Sequence, residues 1–287
     1  MKVLLAVDLR NRESDLVGLA LPWIERLEAV VDIVYVDTVR AQVEAFAIPK
    51  LAAELQQTND ETAHLLAAVM QRLPEPNRGQ GIVDVSTVPE MIELRSADYA
   101  LILVGTRGLT GLSHWWAGSV AEGIIRLATT SVLVLRAGEL PTTPSILWAV
   151  DPSENPQAVL SALTSMAARL NGVVNLVTVV GVPLVTETQD APWLLPLVTQ
   201  YVDGTQQLIQ KRLDGILSES FPPSRRGVAY AEVGTAVDGI LTRARGHDLV
   251  VVGTHVRSAV EHVFVGSVAE RVARRAGCAV LVVRVSP

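Results

Sequence analysis

Three glycines and a serine lie between an apolar run and a helical stretch whose start could hold a phosphate. Gly105 follows the apolar run Leu101–Val104, Gly108 comes three residues later, and Gly118-Ser119 opens a helical stretch. The first N–H groups of a helix have no intrahelical partner, and the helix dipole places partial positive charge there. Such an end favours an anion, often phosphate. Gly118 leaves room for a ligand against the backbone, and Ser119 adds a hydroxyl. Gly105 and Gly108 let the chain turn out of its strand without a side chain in the way. Arg107 adds positive charge. Asp8 closes the first apolar run, MKVLLAVD. A carboxylate there could accept hydrogen bonds from a ribose hydroxyl or an adenine amine. The plainer alternative stands beside this one: glycines after a strand make turns, and a serine before a helix is an N-cap.

Other chemistries lack their constellations. Neither GxxxxGK[ST] nor GxGxxG is present. His255 and His262 are seven apart with no third ligand in view, so no metal centre is expected. No paired carboxylates, Ser-His-Asp or Cys-His set assembles, and no catalytic residue is expected. The single cysteine, Cys278, reads as a buried, inert thiol. Asp98 and Asp248, each before an apolar strand, read as caps; Trp115 and Trp116 read as helix-packing residues.

The elements that must position the glycine loop occur twice. Gly105, Gly118, Ser119 and Arg136 recur 148 positions later as Gly253, Gly266, Ser267 and Arg284, and GSVAE (118–122) recurs intact at 266–270. KVLLAVD (2–8) and SILWAVD (145–151) open the two copies, and AGELPTTPS (137–145) separates them. The expected domains are 1–140 and 141–287. In each, a buried strand (Val3–Val7; Ile146–Val150) leads through a helical stretch to a β-branched strand (Val31–Val36; Val173–Val180). A longer helical insert follows (Ala41–Leu73; Trp193–Leu217). Then come a third strand and short helix (Gly81–Val88 and Glu90–Ala97; Val228–Val233 and Ala236–Ala244). A fourth strand (Tyr99–Val104; Leu249–Val252), a helix and a last strand (Val132–Leu135; Val280–Val283) complete the copy. The alternation predicts an α/β fold with a parallel sheet covered on both faces. In the closing helices, Val120, Ile124, Leu127 and Ala128 should share the core face, as should Val268, Val272 and Ala276. If strands one and four are neighbours where the connections change direction, Asp8 faces the glycine loop across a crevice.

The totals agree with two such domains. The chain has 287 residues, 49% hydrophobic and 19% charged, with net charge −6. No basic run points to nucleic acid. With one cysteine there is no disulfide framework, which suits a reducing cytoplasm. No stretch approaches the roughly 18 unbroken apolar residues of a membrane span, so no membrane partner is expected.

Gly105-x2-Gly108-x9-Gly118-Ser119 is similar to the nucleotide-binding signature of the universal stress protein family, and strand-end Asp8 suits that family's opening strand. Both halves carry the resemblance, so the chain resembles a tandem universal stress protein. The resemblance implies two Rossmann-like domains, each a five-stranded parallel sheet of order 3-2-1-4-5 with helices on both faces. It implies a pseudo-dimer within one chain, through the last strands 132–136 and 280–284, with a homodimer as a further option. It also implies ATP, or ADP or AMP, with magnesium as an optional companion. Asp8 and Val36 would hold the adenosine; Gly105, Thr106, Arg107, Gly108, Gly118, Ser119 and Val120 would surround ribose and phosphates. The corresponding second-half residues are Asp151, Val179, Gly253, Thr254, Gly266, Ser267 and Val268.

The copies depart from the pattern differently. Leu9-Arg10 and Pro152-Ser153 replace the family's usual Gly-Ser. The small-x-Pro segment is Thr87-Val88-Pro89 in the first half and Gly234-Thr235-Ala236 in the second. Val256 stands where the first half has Gly108, flanked by His255 and followed by Glu261. A β-branched residue is costly at positive φ and would crowd a phosphate. The expectation is therefore a non-enzymatic stress-response regulator binding nucleotide in its first half, with the second as a structural partner. A non-nucleotide scaffold, or a binder of another small molecule, is the alternative; a slow ATPase ranks last.

Overall fold

The computed structural model describes residues 1–9, 15–46, 49–105, 119–151, 157–181, 195–255 and 266–285. The chain divides into two compact units, Met1–Glu139 and Leu140–Thr254 with Gly266–Ser286.

In the first unit the strands are β1 (Lys2–Ala6), β2 (Val30–Val36), β3 (Arg78–Asp84), β4 (Leu101–Gly105) and β5 (Val132–Leu135). Their order is β3-β2-β1-β4-β5, and every neighbouring pair is parallel. The helices are α1 (Leu16–Arg26), α2 (Thr38–Ala45), α3 (Pro49–Gln71), α4 (Val88–Arg95) and α5 (Ser119–Leu127). The second unit repeats the plan with β6 (Ser145–Ala149), α6 (Gln157–Leu170), β7 (Val173–Val180), α7 (Leu195–Ser220), β8 (Arg226–Val233), α8 (Ala236–Ala244), β9 (Leu249–His255), α9 (Ser267–Arg275) and β10 (Ala279–Val285). Its order, β10-β9-β6-β7-β8, is again 3-2-1-4-5 counted within the half. This is the Rossmann-like arrangement expected. The central strands are buried along their length: Val3, Leu4 and Leu5, like Ile146, Leu147 and Trp148, are at most 2% exposed. With both faces covered there is no polar alternation.

Several boundaries differ from the sequence expectation, each for a local reason. The first insert is two helices. Asp37 accepts the Arg40 N–H at 3.1 Å and starts α2 at Thr38, two residues after β2 ends, and α3 begins afresh at Pro49, an allowed first position for proline. The third strand runs Arg78–Asp84 rather than Gly81–Val88. Thr87 ends it by forming a capping box with Glu90, which draws Val88 and Pro89 into the first turn of α4. Arg78, Gly79 and Gln80, ahead of the expected start at Gly81, belong to the strand too, with Arg78 pairing with Val31 of β2. At the closing helix α5, Ile124 and Ala128, just past its end, are buried as expected, with Ala121 and Ile125 beside them; Leu127 is only half-buried.

The outer edge of β8 is closed by side chains. Gln210 donates to the Ala229 carbonyl and accepts the Ala231 N–H, and Gln206 donates to the Ala231 carbonyl. Edge-strand groups that could template pairing with another chain are thereby occupied by α7.

Candidate functional site

The site begins where β1 and β4 end together. Ala6 pairs with Val104 at the last rung of the ladder. The chain continues from β1 to β2 on one side and from β4 to β5 on the other. Ligand crevices form at such a switch point, outside the carboxyl ends of the strands. Asp8 lies two residues beyond that rung and is exposed, while Gly105 lies one residue beyond and is half-buried. Val36 closes β2 on the other flank, half-buried, just past the Val34 carbonyl that accepts the Val7 N–H at 2.9 Å. The structure thus brings Asp8, Val36 and Gly105 to one end of one sheet.

The second half has the same register. Ala149 pairs with Val252, Val150 donates to the Val177 carbonyl at 2.8 Å, and Asp151, Val179 and Gly253 take the three corresponding places. Asp151 is exposed, and Val179 and Gly253 are half-buried.

Thr106, Arg107, Gly108 and Gly118 lie outside the described residues, as do the side chains of Ser119 and Val120; the backbone of the last two opens α5. The helix start is described in the second half. There the N-cap is Gly266, with φ −53° and ψ 136° and no side-chain cap bond. Ser267 is the first helical residue and is exposed, so the serine is not the cap. A Cβ at Gly266 would meet nothing within 4 Å. The space beside Gly266 is therefore free of described atoms, and the first N–H groups of α9 suit an anion. Val268 is half-buried behind it.

Two residues do work that the sequence did not suggest. Gly105 also meets a packing constraint: a Cβ there would lie 2.7 Å from Leu16 Cδ1 on α1, so the leucine would have to shift. Thr254 is 1% exposed, and its hydroxyl donates to the Val283 carbonyl at 3.4 Å and accepts from Arg284 Nη1 at 3.2 Å. That hydroxyl serves the sheet.

The rim on the third-strand side is held by an ion pair in each half. Arg95 Nε donates to Asp84 Oδ2 at 2.6 Å, and Ser86 donates to the other carboxylate oxygen. The Asp84 carbonyl accepts the Asp37 N–H at 2.8 Å, tying the ends of β2 and β3 together. In the second half Arg243 pairs with Glu232 and lies over the Tyr230 ring, 4.2 Å from its centre. The sequence held a signal for this, an acid eleven residues before an arginine in both copies. Next to it, Glu90 accepts the Thr87 N–H and hydroxyl, which hold its carboxyl below the ordinary range. After β8 the turn uses Gly234 at φ +140°, a conformation that favours glycine.

Among the described residues no group of three or more His, Cys, Asp or Glu is placed to hold a metal ion. Asp248, read as a cap before the fourth strand, accepts the Ser145 N–H at 2.7 Å and ties the start of β9 to β6. Cys278 is half-exposed rather than buried.

The universal stress protein family profile matches residues 1–136 and 143–284, nearly the whole chain. The chain belongs to the universal stress protein family. Its two adjoining matches make it a tandem universal stress protein. A curated universal stress protein of Mycolicibacterium smegmatis (strain ATCC 700084 / mc(2)155) is 27% identical over 189 residues, covering 64% of this chain and 61% of that one. This chain thus spans about three fifths of that relative's length. Among solved structures, a universal stress protein from Archaeoglobus fulgidus DSM 4304 matches with a TM-score of 0.66 and 18% identity, over 99% of this chain and 98% of that one. A putative universal stress protein from Pseudomonas aeruginosa UCBPP-PA14 matches with 0.58 and 17%, over 99% and 92%. At these identities the two likenesses concern the fold. Among the described residues, no helix is long and apolar enough to cross a membrane.

Proposed function

We propose that this tandem universal stress protein is a regulatory, non-catalytic protein that binds ATP or a related adenine nucleotide in its first domain, 1–140, with the second, 141–287, as its structural partner. One observation carries the proposal. The signature Gly105-x2-Gly108-x9-Gly118-Ser119 begins at the β4 end, beside the β1 end at the switch point, and finishes at the start of α5. Those are the two ends that a nucleotide needs: a crevice for the adenosine and a helix N-terminus for the phosphates.

The described residues fit such a ligand. Asp8 is exposed at the mouth, where its carboxylate can accept from a ribose hydroxyl or the adenine amine. Val36 offers apolar contact to the base. The bound phosphates would bring the negative charge that the first turn of α5 accommodates. The second half keeps Asp151, Gly253 and Gly266-Ser267, and its helix start is open, but Val256 replaces the glycine that gives phosphate room.

Calorimetry of the full chain tests this. Wild type should take up about one ATP per chain, Gly118→Val should lose it, and Gly266→Val should bind as wild type. Absence of any saturable ATP binding, and of adenine nucleotide in extracts of the purified protein, would favour the scaffold alternative. Two equivalents bound would end the division of roles between the halves.

A further inference from the structure

We propose that Arg284 is a positioning residue that latches the exit of β9 into the second crevice through the hydroxyl of Thr254. Thr254 is the last residue but one of β9 and follows the crevice glycine, Gly253. A buried hydroxyl needs partners, and it has one donor and two acceptor sites to satisfy. Here it donates to the Val283 carbonyl at 3.4 Å and accepts from Arg284 Nη1 at 3.2 Å. Both partners belong to the closing strand β10. The threonine therefore stitches β9 to β10 beyond the Ala149–Val252 rung, at the end of the sheet where Asp151 and the start of α9 stand.

The arginine is expensive in this place. It follows Val280, Leu281, Val282 and Val283, each at most 2% exposed, and burial pushes its pKa down to about 10. An apolar side chain would pack there without the desolvation cost. What a guanidinium adds is a rigid fork of donors with fixed direction. Directed at Thr254, it holds the last residues of β9, next to Gly253, against β10.

The spacing is repeated. Thr254 and Arg284 are 30 residues apart, as are Thr106 and Arg136 in the first half, each threonine directly after the crevice glycine. For the first half the inference rests on the proposed nucleotide site.

Peptide-resolved amide hydrogen exchange on the full chain tests the latch at residues 253–255. Thr254→Ser keeps the hydroxyl and should exchange as wild type. Thr254→Val and Arg284→Gln should each exchange about tenfold faster, as expected for one lost hydrogen bond, and the double variant no faster than either. Urea titration of the same variants separates this local effect from global loss of stability. Wild-type exchange in Thr254→Val, or fully additive effects in the double variant, would overturn the latch. A second arm measures ATP affinity: Arg136→Gln should weaken it about tenfold. If wild type binds no ATP, the nucleotide proposal falls while the exchange arm still decides the latch.

Discussion

In the first half the irregularity between β2 and β3 is closed by a carboxylate; in the second half the same irregularity between β7 and β8 is closed by an amide. The register slips between Val31 and Ile33 in one, and between Val174 and Leu176 in the other. The residue at the slip turns its side chain onto the N–H that the ladder leaves over. Asp32 Oδ1 accepts from Gln80 at 2.8 Å, and Asn175 Oδ1 accepts from Val228 at 2.9 Å. The second atom of each group sets the neighbourhood. Asp32 Oδ2 is an acceptor, and it gathers donors: the Tyr99 hydroxyl at 2.9 Å and Lys2 Nζ at 3.2 Å. Asn175 Nδ2 is a donor, and it faces acceptors: Ser145 Oγ at 3.1 Å and the Ile146 carbonyl at 3.4 Å. Lys2 and Ser145 hold equivalent places, as do Tyr99 and His247. The backbone task is the same in both halves, and the partner residues change with the chemistry of the side chain that performs it.

The largest test of this comparison removes the room in which both side chains sit. A Cβ at Gly79 would lie 2.2 Å from Asp32 Oδ1, and a Cβ at Gly227 would lie 2.2 Å from Asn175 Oδ1, each with a strand carbonyl also under 3.0 Å. Gly79→Ala and Gly227→Ala should each destabilise their half by about 3 kcal/mol, the upper range for overpacking. Urea unfolding measures it. A loss below about 0.5 kcal/mol in either half, within surface-substitution scatter, would mean the slip is not built as described.

Removing the side chains should have a smaller and unequal effect. Asp32→Ala strands a backbone N–H, the Tyr99 hydroxyl and Lys2, and should cost about 3 kcal/mol or somewhat less; Asn175→Ala, with neutral partners, about 1–2 kcal/mol. Equal losses would show that the charge adds nothing to the first half.

The residues at the equivalent places, Tyr99 with its partner Asp32 and His247, separate the halves in pH. Burial works to raise the Asp32 carboxyl, but the Gln80 N–H, the Tyr99 hydroxyl and Lys2 together hold it below its ordinary 3.8. Burial, then the Asp32 hydrogen bond and charge, push Tyr99 up to about 12. The Asp32 contribution is therefore complete above pH 3.8 and is lost as pH falls through the lower folded value. His247 is a base whose burial lowers its pKa from 6.5. The unfolded chain then binds more protons, so its contribution is complete above 6.5 and fades as pH falls below it. Between pH 6.5 and 4, as a rough window from these ordinary values, the second half should weaken from this source while the first does not. Peptide-resolved urea titrations at pH 7 and pH 5 read this directly. His247→Gln should flatten the difference, and an unchanged difference would remove His247 as its cause.

These features show why the sequence was only partly legible. Apolar runs such as Val3–Leu5 and Val280–Val283, and the copies of Gly105 and Gly118-Ser119, disclosed the repeat, the strand order through the family resemblance, and one end of the crevice. Strand three was found, but its first residues were not, because their signal is a contact: Gly79 and Gly227 look like turn residues until Asp32 and Asn175 lie against them. The break between α2 and α3 lies where Asp37 and Thr38 start a helix by capping, which hydrophobic periodicity does not register. The hydroxyl of Thr254 looked like a ligand group from its place after Gly253, yet three-dimensional neighbours from β10 claim it.

The long helices give the smallest effect and the one that sharpens the comparison by erasing a difference. In α3, Leu66 and Met70 are buried, as Leu213 and Leu217 are in α7. Two residues after Leu66 stands Ala68; two residues after Leu213 stands Gly215. A Cβ at Gly215 would meet nothing within 4 Å, and Gly215 lacks the positive φ that would need glycine. Glycine inside a helix costs about 0.8–1.0 kcal/mol relative to alanine. Gly215→Ala should therefore stabilise the second half by about 0.5–1 kcal/mol, without touching Gln206 or Gln210 at the β8 edge. A rise in the urea midpoint of peptides from α7 and β8, with those of α3 and β3 unchanged, is the expected result. A fall would mean that this glycine gives α7 something the first half does not need, and that the two long helices are not equivalent covers of their sheets.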